Sequence, residues 1–309
     1  METSLILLRE VVKLFLMLIM GYVLVKAKLL RSEDSRVVSV IQVYLLTPCM
    51  IINAFQIDVT AQVLKGLAFA FGVSAAVHGL LFLFTAGFRR LFRLDLMEQL
   101  SIIYTNAGIL VLPLIQAMLG QAYVVYSCGF VVVQLVLLWT HCRVKVSGEG
   151  VQWRNALLNV NVLSILLGAA LFAARIRLPA LLGETVSTVG AMMGPMGMLL
   201  AGMIIAEIPL REVFCVPRNY LAAALRLLVC PVLLLAVFRL CRLTALVQDG
   251  KNLLLIVYLA SVTPACTTLT SIAQLYGRDS QRTSVLYVLT TTLSVATMPL
   301  MVGLFSALL

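Results

Sequence analysis

One stretch inside a long apolar segment combines residues that break helices with groups that bind anions. Residues 105–114 read TNAGILVLPL, in which Asn106, Gly108 and Pro113 all disfavour a continuous helix. In a lipid bilayer, a backbone group freed by such a break needs another partner or costs several kcal/mol. A helix that restarts here presents unpaired N–H groups and a partial positive charge, and the Asn106 amide adds further donors. The stretch therefore predicts a break that binds an anion.

A second stretch near the end of the chain has the same character. Residues 261–271 read SVTPACTTLTS, where Thr263 suits a helix N-cap and Pro264 suits the first helical position. The Thr-Pro pair also occurs as Thr47 and Pro48 in an early segment, where it predicts a further break. If the breaks at residues 105–114 and 261–271 face each other at the centre of the bilayer, their helix starts form one anion site that needs no Lys or Arg.

Side chains near these breaks are the candidate contacts of the anion. Gln134 lies at mid-depth in a neighbouring segment, beside the proposed crossing. Thr267, Thr268 and Ser271 follow the second break, and they either face the site or bond carbonyls of their own helix. Val111 is expected to add apolar contact. The predicted substrate-binding residues are Asn106, Gly108, Ile109, Pro113, Thr47, Ile51, Gln134, Thr263, Pro264, Thr267 and Thr268.

Ionisable side chains inside apolar segments are candidates for function by default. His78, near the middle of the third segment, is either the carrier of a coupling proton or a neutral side chain that donates to a carbonyl. Arg226 lies about two turns into the eighth segment; we expect it to reach outward to the headgroups, the alternative being that it faces the cavity. For the three threonines at 290–292, the sequence favours hydroxyls bonded within their own helix.

The composition defines the environment of these residues. Hydrophobic residues make up 62% of the chain, charged residues 12%, and the mean hydropathy is +1.06, whereas a soluble domain of this length needs far more charge. The sequence therefore predicts an integral membrane protein. Its net charge of +10 is assigned to loops facing anionic lipid headgroups, not to nucleic acid. The seven cysteines are scattered through apolar segments, so neither a disulfide framework nor a metal site is expected.

Apolar segments of roughly 20 residues, the length that spans a bilayer, follow one another along the whole chain. Ten are predicted, at 5–26, 37–56, 64–88, 98–119, 121–142, 156–175, 185–206, 218–240, 252–275 and 283–307. Pro48 and Pro195 are related by a shift of 147 residues, and Pro113 and Pro264 by a shift of 151. After five spans, an odd number, the chain is on the other side of the membrane from where it began. A second copy of such a half therefore has the opposite orientation in the membrane. Inverted repeats with interrupted helices are typical of secondary transporters.

The predicted organisation has two halves and a fixed orientation. It comprises a first five-helix repeat at 1–146, a cytoplasmic linker at 147–155, and a second, inverted five-helix repeat at 156–309. The odd-numbered connections hold 14 Lys and Arg residues, against 6 in the even-numbered ones. Since loops rich in Lys and Arg stay in the cytoplasm, the odd connections are predicted to be cytoplasmic and both termini to lie outside the cell membrane.

Several of these stretches resemble one known family. The stretches GYVLVKAKLL and VYLLTPCMIINAF, then NAGILVLPLIQAMLG, and finally TPACTTLTSIAQLYGRDSQRTSVLYVLTTTLSVATMPL are similar to auxin efflux carrier family proteins, which include bacterial malate and malonate permeases. The likeness spans the whole chain. It implies an all-α integral membrane fold of ten transmembrane helices, built as two inverted five-helix repeats with crossed, broken helices 4 and 9. It also implies a homodimer formed through a scaffold.

The resemblance further implies an elevator mechanism. Helices three to five and eight to ten would shift as one unit against a scaffold of helices one, two, six and seven, with Thr47, Pro48 and Ile51 on the stationary wall. Ile109 and Val111 stand where the family often has a second Asn and a second Gly. The pocket is therefore expected to be less polar than in the family and to suit a larger, partly apolar carboxylate.

Other classes of membrane protein fit the sequence less well. An enzyme would need a reactive cluster, yet the chain has two histidines and neither paired catalytic carboxylates nor an HExxH motif. Nothing resembles the selectivity filter or the charged ring of a channel. A sodium-coupled carboxylate symporter of the bile-acid type remains the alternative, although Asp and Glu are absent near both breaks. The sequence thus predicts an organic-anion transporter without enzymatic activity or cofactor, coupled to protons or sodium.

Overall fold

The computed structural model describes residues 2–150, 158, 160–206 and 208–309. Their side chains are described except at 2–8, 10, 11, 32, 109, 271, 274 and 275. The predicted side-chain contacts of Ile109 and Ser271 therefore lie outside the described part, as do residues 151–155 of the predicted linker.

The described residues are almost entirely helical, which confirms the predicted all-α class. Apart from two short 3₁₀ turns, thirteen helices are found among them. They are α1 (Glu2–Lys26), α2 (Ser35–Ala54), α3 (Ala61–Phe92), α4 (Leu96–Ile103), α5 (Ala107–Leu119), α6 (Gln121–Ser147), α7 (Val160–Ala173), α8 (Ala180–Ile205), α9 (Leu210–Phe214), α10 (Pro217–Leu240), α11 (Gly250–Val262), α12 (Thr267–Leu275) and α13 (Ser280–Leu308).

Many of these helices have the length and composition of membrane spans. Within the described residues, α2, α3, α6, α8, α10 and α13 are each long and apolar enough to cross a bilayer. The helices α7 and α11 and the later part of α5, Leu110–Leu119, are apolar but shorter. The chain is therefore a multi-pass membrane protein.

The early Thr-Pro pair does not interrupt its helix. Pro48 lies inside α2, directly after the π-helical turn Gln42–Leu46. The hydroxyl of Thr47 donates to the carbonyl of Gln42 at 2.8 Å. Local π adjustments and Thr side chains supply the partners that a proline removes. The predicted break at Pro48 is therefore wrong.

Two interruptions do occur, at residues 104–106 and 263–266, where one helix ends and the next begins. The first lies before the predicted crossing region, because Gly108 and Pro113 both belong to α5. A glycine in the first turn costs little, and a proline in the second turn removes one hydrogen bond of the helix without ending it. The break is therefore set by the residues that precede Gly108.

The second interruption also starts differently from the prediction. Thr263 has extended backbone angles, φ −65° and ψ 157°, and follows the last residue of α11. Its hydroxyl donates to the carbonyl of Ala260 at 2.9 Å, so it closes the preceding helix. The next helix begins at Thr267. The predicted N-cap at Thr263 and helix start at Pro264 are therefore wrong.

Glycines determine which helices approach most closely. A Cβ atom on Gly21 or Gly202 would collide with backbone atoms of Leu199 or Leu18, so α1 and α8 pack backbone against backbone. A Cβ atom on Gly129 of α6 would lie 2.9 Å from a backbone nitrogen of α3. Small residues at such contacts are the usual means of helix association in lipid.

Candidate functional site

The two interruptions pair with each other through their backbones. The N–H of Asn106 donates to the carbonyl of Pro264 at 2.8 Å, and the N–H of Cys266 donates to the carbonyl of Tyr104 at 3.1 Å. Together they make a short antiparallel bridge. This pairing satisfies backbone groups that no helix can satisfy at a break. It also holds the first turns of α5 and α12 side by side.

The outer edge of the first break is closed by a side chain. Oε1 of Gln134, on α6, accepts hydrogen bonds from the N–H of Thr105 at 3.0 Å and from its hydroxyl at 2.8 Å. Nε2 of Gln134 donates to the Thr105 carbonyl at 2.8 Å. The amide of Gln134 thus imitates a peptide group of a neighbouring strand. Its hydrogen bonds go to the break itself.

The second break is closed in a similar way by α13. The hydroxyl oxygen of Thr290 accepts a hydrogen bond from the N–H of Ala265 at 3.1 Å, while it donates to the Leu286 carbonyl at 2.7 Å. The predicted hydrogen bond of Thr290 within its own helix is present. The hydroxyl oxygen can still accept, and it accepts from the backbone of the break. The sequence analysis missed this second role because nothing in the local sequence indicates which residue faces Thr290.

Asn106 stands at the start of α5 with an unpaired, buried side-chain donor among the residues that the structure describes. It is 3% exposed, and its Nδ2 has no hydrogen-bond partner among the described residues. Buried amide donors nearly always have partners, so this group needs one. A Cβ atom on Gly108 would meet no atom within 4 Å, so space lies beside the same turn. Thr267 and Thr268, on the first turn of α12, are half-buried.

The remaining predicted contacts lie further along the helices. Ile51 of α2 is buried, 2% exposed, in the same apolar core as Val111 of α5. Thr47, on α2, has its hydroxyl 3.5 Å from the sulfur of Met193 on α8. Pro113 of α5 faces α8 as well. The described hydrogen bonds thus join Asn106, Gln134 and Pro264 around the breaks, while Thr47 and Pro113 contact α8.

Arg226 binds the helix ends that precede the two breaks. It is 1% exposed and lies in a π-helical turn of α10. Nη1 donates to the carbonyl of Ile102 at 3.0 Å, and Nη2 donates to the carbonyls of Ser261 at 2.7 Å and Thr263 at 2.8 Å. The expected outward orientation of Arg226 toward the headgroups is therefore wrong. The reason is that α4 and α11 end beside it, and their last carbonyls need donors.

Both histidines of the chain are associated with α6. His78 is 1% exposed, donates from Nδ1 to the Ser74 carbonyl at 2.8 Å, and packs its ring 4.6 Å from that of Phe130. These contacts agree with a neutral side chain that donates to a carbonyl. His141 lies close to the first break, since its Nδ1 is 2.9 Å from the hydroxyl of Tyr104.

An ionic cluster that the sequence analysis missed fixes the start of α4. Glu98 has a fully buried side chain, and its carboxylate accepts two hydrogen bonds from Arg218 at 2.8 Å and one from Arg282 at 2.6 Å. Asp95 and Glu98 also form a capping box, whose spacing is visible in the sequence DLME. The cluster ties α4, α10 and α13 together. The capping box was detectable from sequence, but its arginine partners were not.

Comparison with known proteins assigns a family to this arrangement. A family model described as "Membrane transport protein" matches residues 6–152 and 144–302, which together cover nearly the whole chain. None of the curated proteins matches the chain. Because the match far exceeds half of the sequence, the chain belongs to the membrane transport protein family that contains the auxin efflux carriers.

Proposed function

We propose that the protein is a secondary transporter that moves an organic carboxylate across the cell membrane and binds it at the paired helix breaks. Membership of a membrane transport family supports the general activity. The observation that carries the choice of ligand is the Asn106 amide at the start of α5, whose buried Nδ2 has no partner among the described side chains and backbone groups. A carboxylate supplies the acceptor that this donor lacks.

The backbone around Asn106 adds to the attraction for an anion. The first N–H groups of α5 and α12 have no partner within their own helices, and each helix start carries a partial positive charge. The bridge between the two breaks brings these starts together. Gly108 leaves open space beside the first turn of α5. Thr267 and Thr268 follow the start of α12 and complete the proposed pocket, to which the sequence adds Ile109 as a proposed contact.

The chain is proposed to form ten membrane spans arranged as two inverted repeats, at 1–146 and 156–309, joined by a cytoplasmic linker at 147–155. The fourth span is then α4 with α5, and the ninth is α11 with α12. One observation supports the repeat. Each break is closed by a side chain from the helix that follows the broken span, Gln134 on α6 and Thr290 on α13. The excess of Lys and Arg in the odd connections supports external termini.

Transport is proposed to follow an elevator mechanism. Glycine-mediated contacts join α1 to α8 through Gly21 and Gly202 and α2 to α8 through Gly190, and Gly168 of α7 packs on the ring of Phe55, the residue after α2. These contacts favour the four helices as a scaffold. The Glu98 cluster and the contacts of Arg226 tie α4, α10, α11 and α13 into a second unit. Thr47 and Ile51 on α2 then lie on the stationary wall. A homodimer through the scaffold is part of this proposal.

A requirement for sodium would distinguish the alternative function, a sodium-coupled symporter, from a proton-coupled transporter. His78 is the candidate for proton coupling, because it is a buried ionisable group within α3. A sodium-coupled symporter of the bile-acid type would instead need several converging side-chain oxygens, whereas Asp and Glu are absent from the sequence near both breaks. Proton coupling is therefore the preferred form of the proposal.

Thermal-shift measurements on the purified protein test the ligand class. The panel contains mono- and dicarboxylates, aromatic acids included, with the uncharged amide of each acid as its control. The expected result is that at least one acid stabilises the protein more strongly than its amide does. Counterflow of that acid into proteoliposomes, with sodium or with choline, then tests coupling. Uptake that requires sodium would support the symporter, and a panel in which no acid stabilises the protein would contradict the proposal.

A further inference from the structure

At the breaks, the positive partial charges of the helix starts and the negative partial charges of the helix ends cancel unless another charge is present. Each end of a helix carries about half an elementary charge, positive at the start and negative at the end. Two starts, of α5 and α12, and two ends, of α4 and α11, meet at the bridge. Their charges sum to about zero. The attraction of the two helix starts for an anion is therefore opposed by the two helix ends beside them.

Arg226 changes this balance because it lies beside the two helix ends, which carry the negative partial charges. Its guanidinium binds the carbonyls of Ile102, Ser261 and Thr263, which belong to the ends of α4 and α11. All of these partners are neutral backbone carbonyls. Among the other buried charged side chains described, Glu98 shares its charge with two arginines at the start of α4, and Arg143 pairs with Glu149. The positive charge of Arg226 is thus not compensated by any described ion pair.

We propose that Arg226 is the positioning residue that gives the paired breaks their preference for carboxylates, because it neutralises both helix ends and leaves both helix starts positive. This inference rests on the proposed carboxylate transport. Arg226 need not touch the substrate: it acts through the field at the helix starts and by holding the ends of α4 and α11 in place. A carboxylate bound at Asn106 balances the buried charge, whereas a sodium ion at the same position would be repelled.

The size of the effect follows from Coulomb's law. Thr263, which Arg226 binds, is followed directly by Pro264, which pairs with Asn106. A guanidinium and a carboxylate at these places are roughly 8–12 Å apart. At an effective dielectric constant of about 20, two unit charges at that separation change a binding constant by about 10- to 30-fold.

A pair of variants at Cys230 isolates charge from structure. Cys230 is buried on α10, one helical turn after Arg226, so a carboxylate placed there neutralises the guanidinium without removing it. Cys230→Asp and Cys230→Asn differ in charge and hardly in size. The probes are phenylacetate and its uncharged isostere phenylacetamide, with malonate as a second acid, and affinities are measured by calorimetry in detergent.

The charge hypothesis predicts that Cys230→Asp binds phenylacetate about 10- to 30-fold more weakly than Cys230→Asn. Phenylacetamide affinity should differ by less than about threefold between the two variants. A purely structural role for Arg226 predicts the same affinity change for acid and amide. Equal phenylacetate affinity in the two variants, at equal melting temperature, would overturn the inference.

Variants of Arg226 itself give an independent result. Arg226→Lys retains the charge but loses the fork of donors, so it should lower the melting temperature while keeping the preference for acid over amide. Arg226→Gln retains two amide donors without charge, and should lose that preference. A Lys variant that loses the preference overturns the inference. If the unmodified protein binds no acid of the thermal-shift panel, the proposed function fails as well; if it binds an acid and only the variant results differ from expectation, the function stands without this role for Arg226.

Discussion

The side-chain amide of Gln134 forms three hydrogen bonds with Thr105, one of them to the hydroxyl and two to the backbone. A glutamine side chain thereby takes the position of a further strand beside the bridged breaks. The opposite edge of Thr105 faces the second break through its neighbours Tyr104 and Asn106. A non-helical segment in the membrane interior is stable only if its backbone groups are bonded in this way.

Replacement of Gln134 by Leu should destabilise the protein by about 2–6 kcal/mol, because two buried backbone groups lose partners at about 1–3 kcal/mol each. Gln134→Glu retains the acceptor and loses the donor, so an intermediate loss is expected. Reversible unfolding in SDS gives the free energies. The matched control is Gln121→Leu, an exposed position at the start of the same helix. Equal effects of Leu at 121 and 134 would show that the amide does not support the break.

Thr290 is expected to stabilise the protein through its hydrogen bond to the second break. Thr290→Val leaves the N–H of Ala265 without an acceptor and is expected to cost about 1–3 kcal/mol of stability. Thr290→Ser keeps the hydroxyl and should cost less. Thr292→Val is the control, since the hydroxyl of Thr292 donates to the carbonyl of Val288 in its own helix. If both valine variants unfold at the same SDS concentration, the bond to Ala265 carries no stability.

Asn106→Ala should weaken carboxylate binding by about 1–3 kcal/mol, or roughly 5- to 150-fold, with the protein still folded. Asn106→Asp should bind still more weakly, because a second negative charge then faces the ligand. Affinities come from titration of the acid selected by the thermal-shift panel. Asn252→Ala, at an exposed site bonded to Asp249, is the control. If Asn106→Asp binds the acid as tightly as the unmodified protein does, the binding site does not include Asn106.

Glu98→Gln should destabilise the protein by about 3 kcal/mol, the lower end for breaking a buried ion pair, because Arg218 and Arg282 are partly exposed and regain water. The loss should be measured by unfolding at neutral pH. Asp58→Asn removes the partner of Arg177 at an exposed site and should cost less than about 1 kcal/mol. A Glu98→Gln effect no larger than this control would mean that the cluster does not secure α4.

A disulfide between α5 and α8 tests movement of the breaks against the scaffold. A Cβ atom on Gly194 would lie 3.3 Å from that of Pro113, close to the separation in disulfides. In a background without the seven native cysteines, oxidised Pro113→Cys/Gly194→Cys protein should stop transporting, and reduction should restore uptake. The two single variants control for the substitutions. Full transport by fully cross-linked protein would contradict the elevator mechanism.

The sequence was sufficient for the fold class and for the existence of two breaks, but not for their positions. Composition and segment length require apolar helices, and local residues such as Asn106 and Pro264 disfavour continuous ones. The first break nevertheless lies at residues 104–106, because it is fixed by pairing with a segment from the other half of the chain. Local propensity carries no information on such a pairing. Pro48, inside α2, is likewise accommodated next to a π-helical turn, which the local sequence does not predict.

Side-chain partners were harder to predict than side-chain positions. Gln134 was correctly located beside the first break, but its hydrogen bonds go to Thr105. Arg226 was expected to reach the headgroups, since a long cationic side chain near a helix end usually does. The carbonyls at the ends of α4 and α11 compete with water for its guanidinium. That competition is decided by tertiary structure.

The two faces of α1 differ in how strongly they resist sliding. Toward α8, Gly21 and Gly202 bring backbones into contact, so any axial shift would drive one peptide group over another. Toward α5 and α13, the contact consists of long side chains, among them Leu18, Leu114 and Met298. A long side chain can yield by a change of rotamer, whereas two backbones in contact cannot. We therefore expect an axial shift of α1 to meet more resistance from α8 than from α5 and α13, which border the breaks.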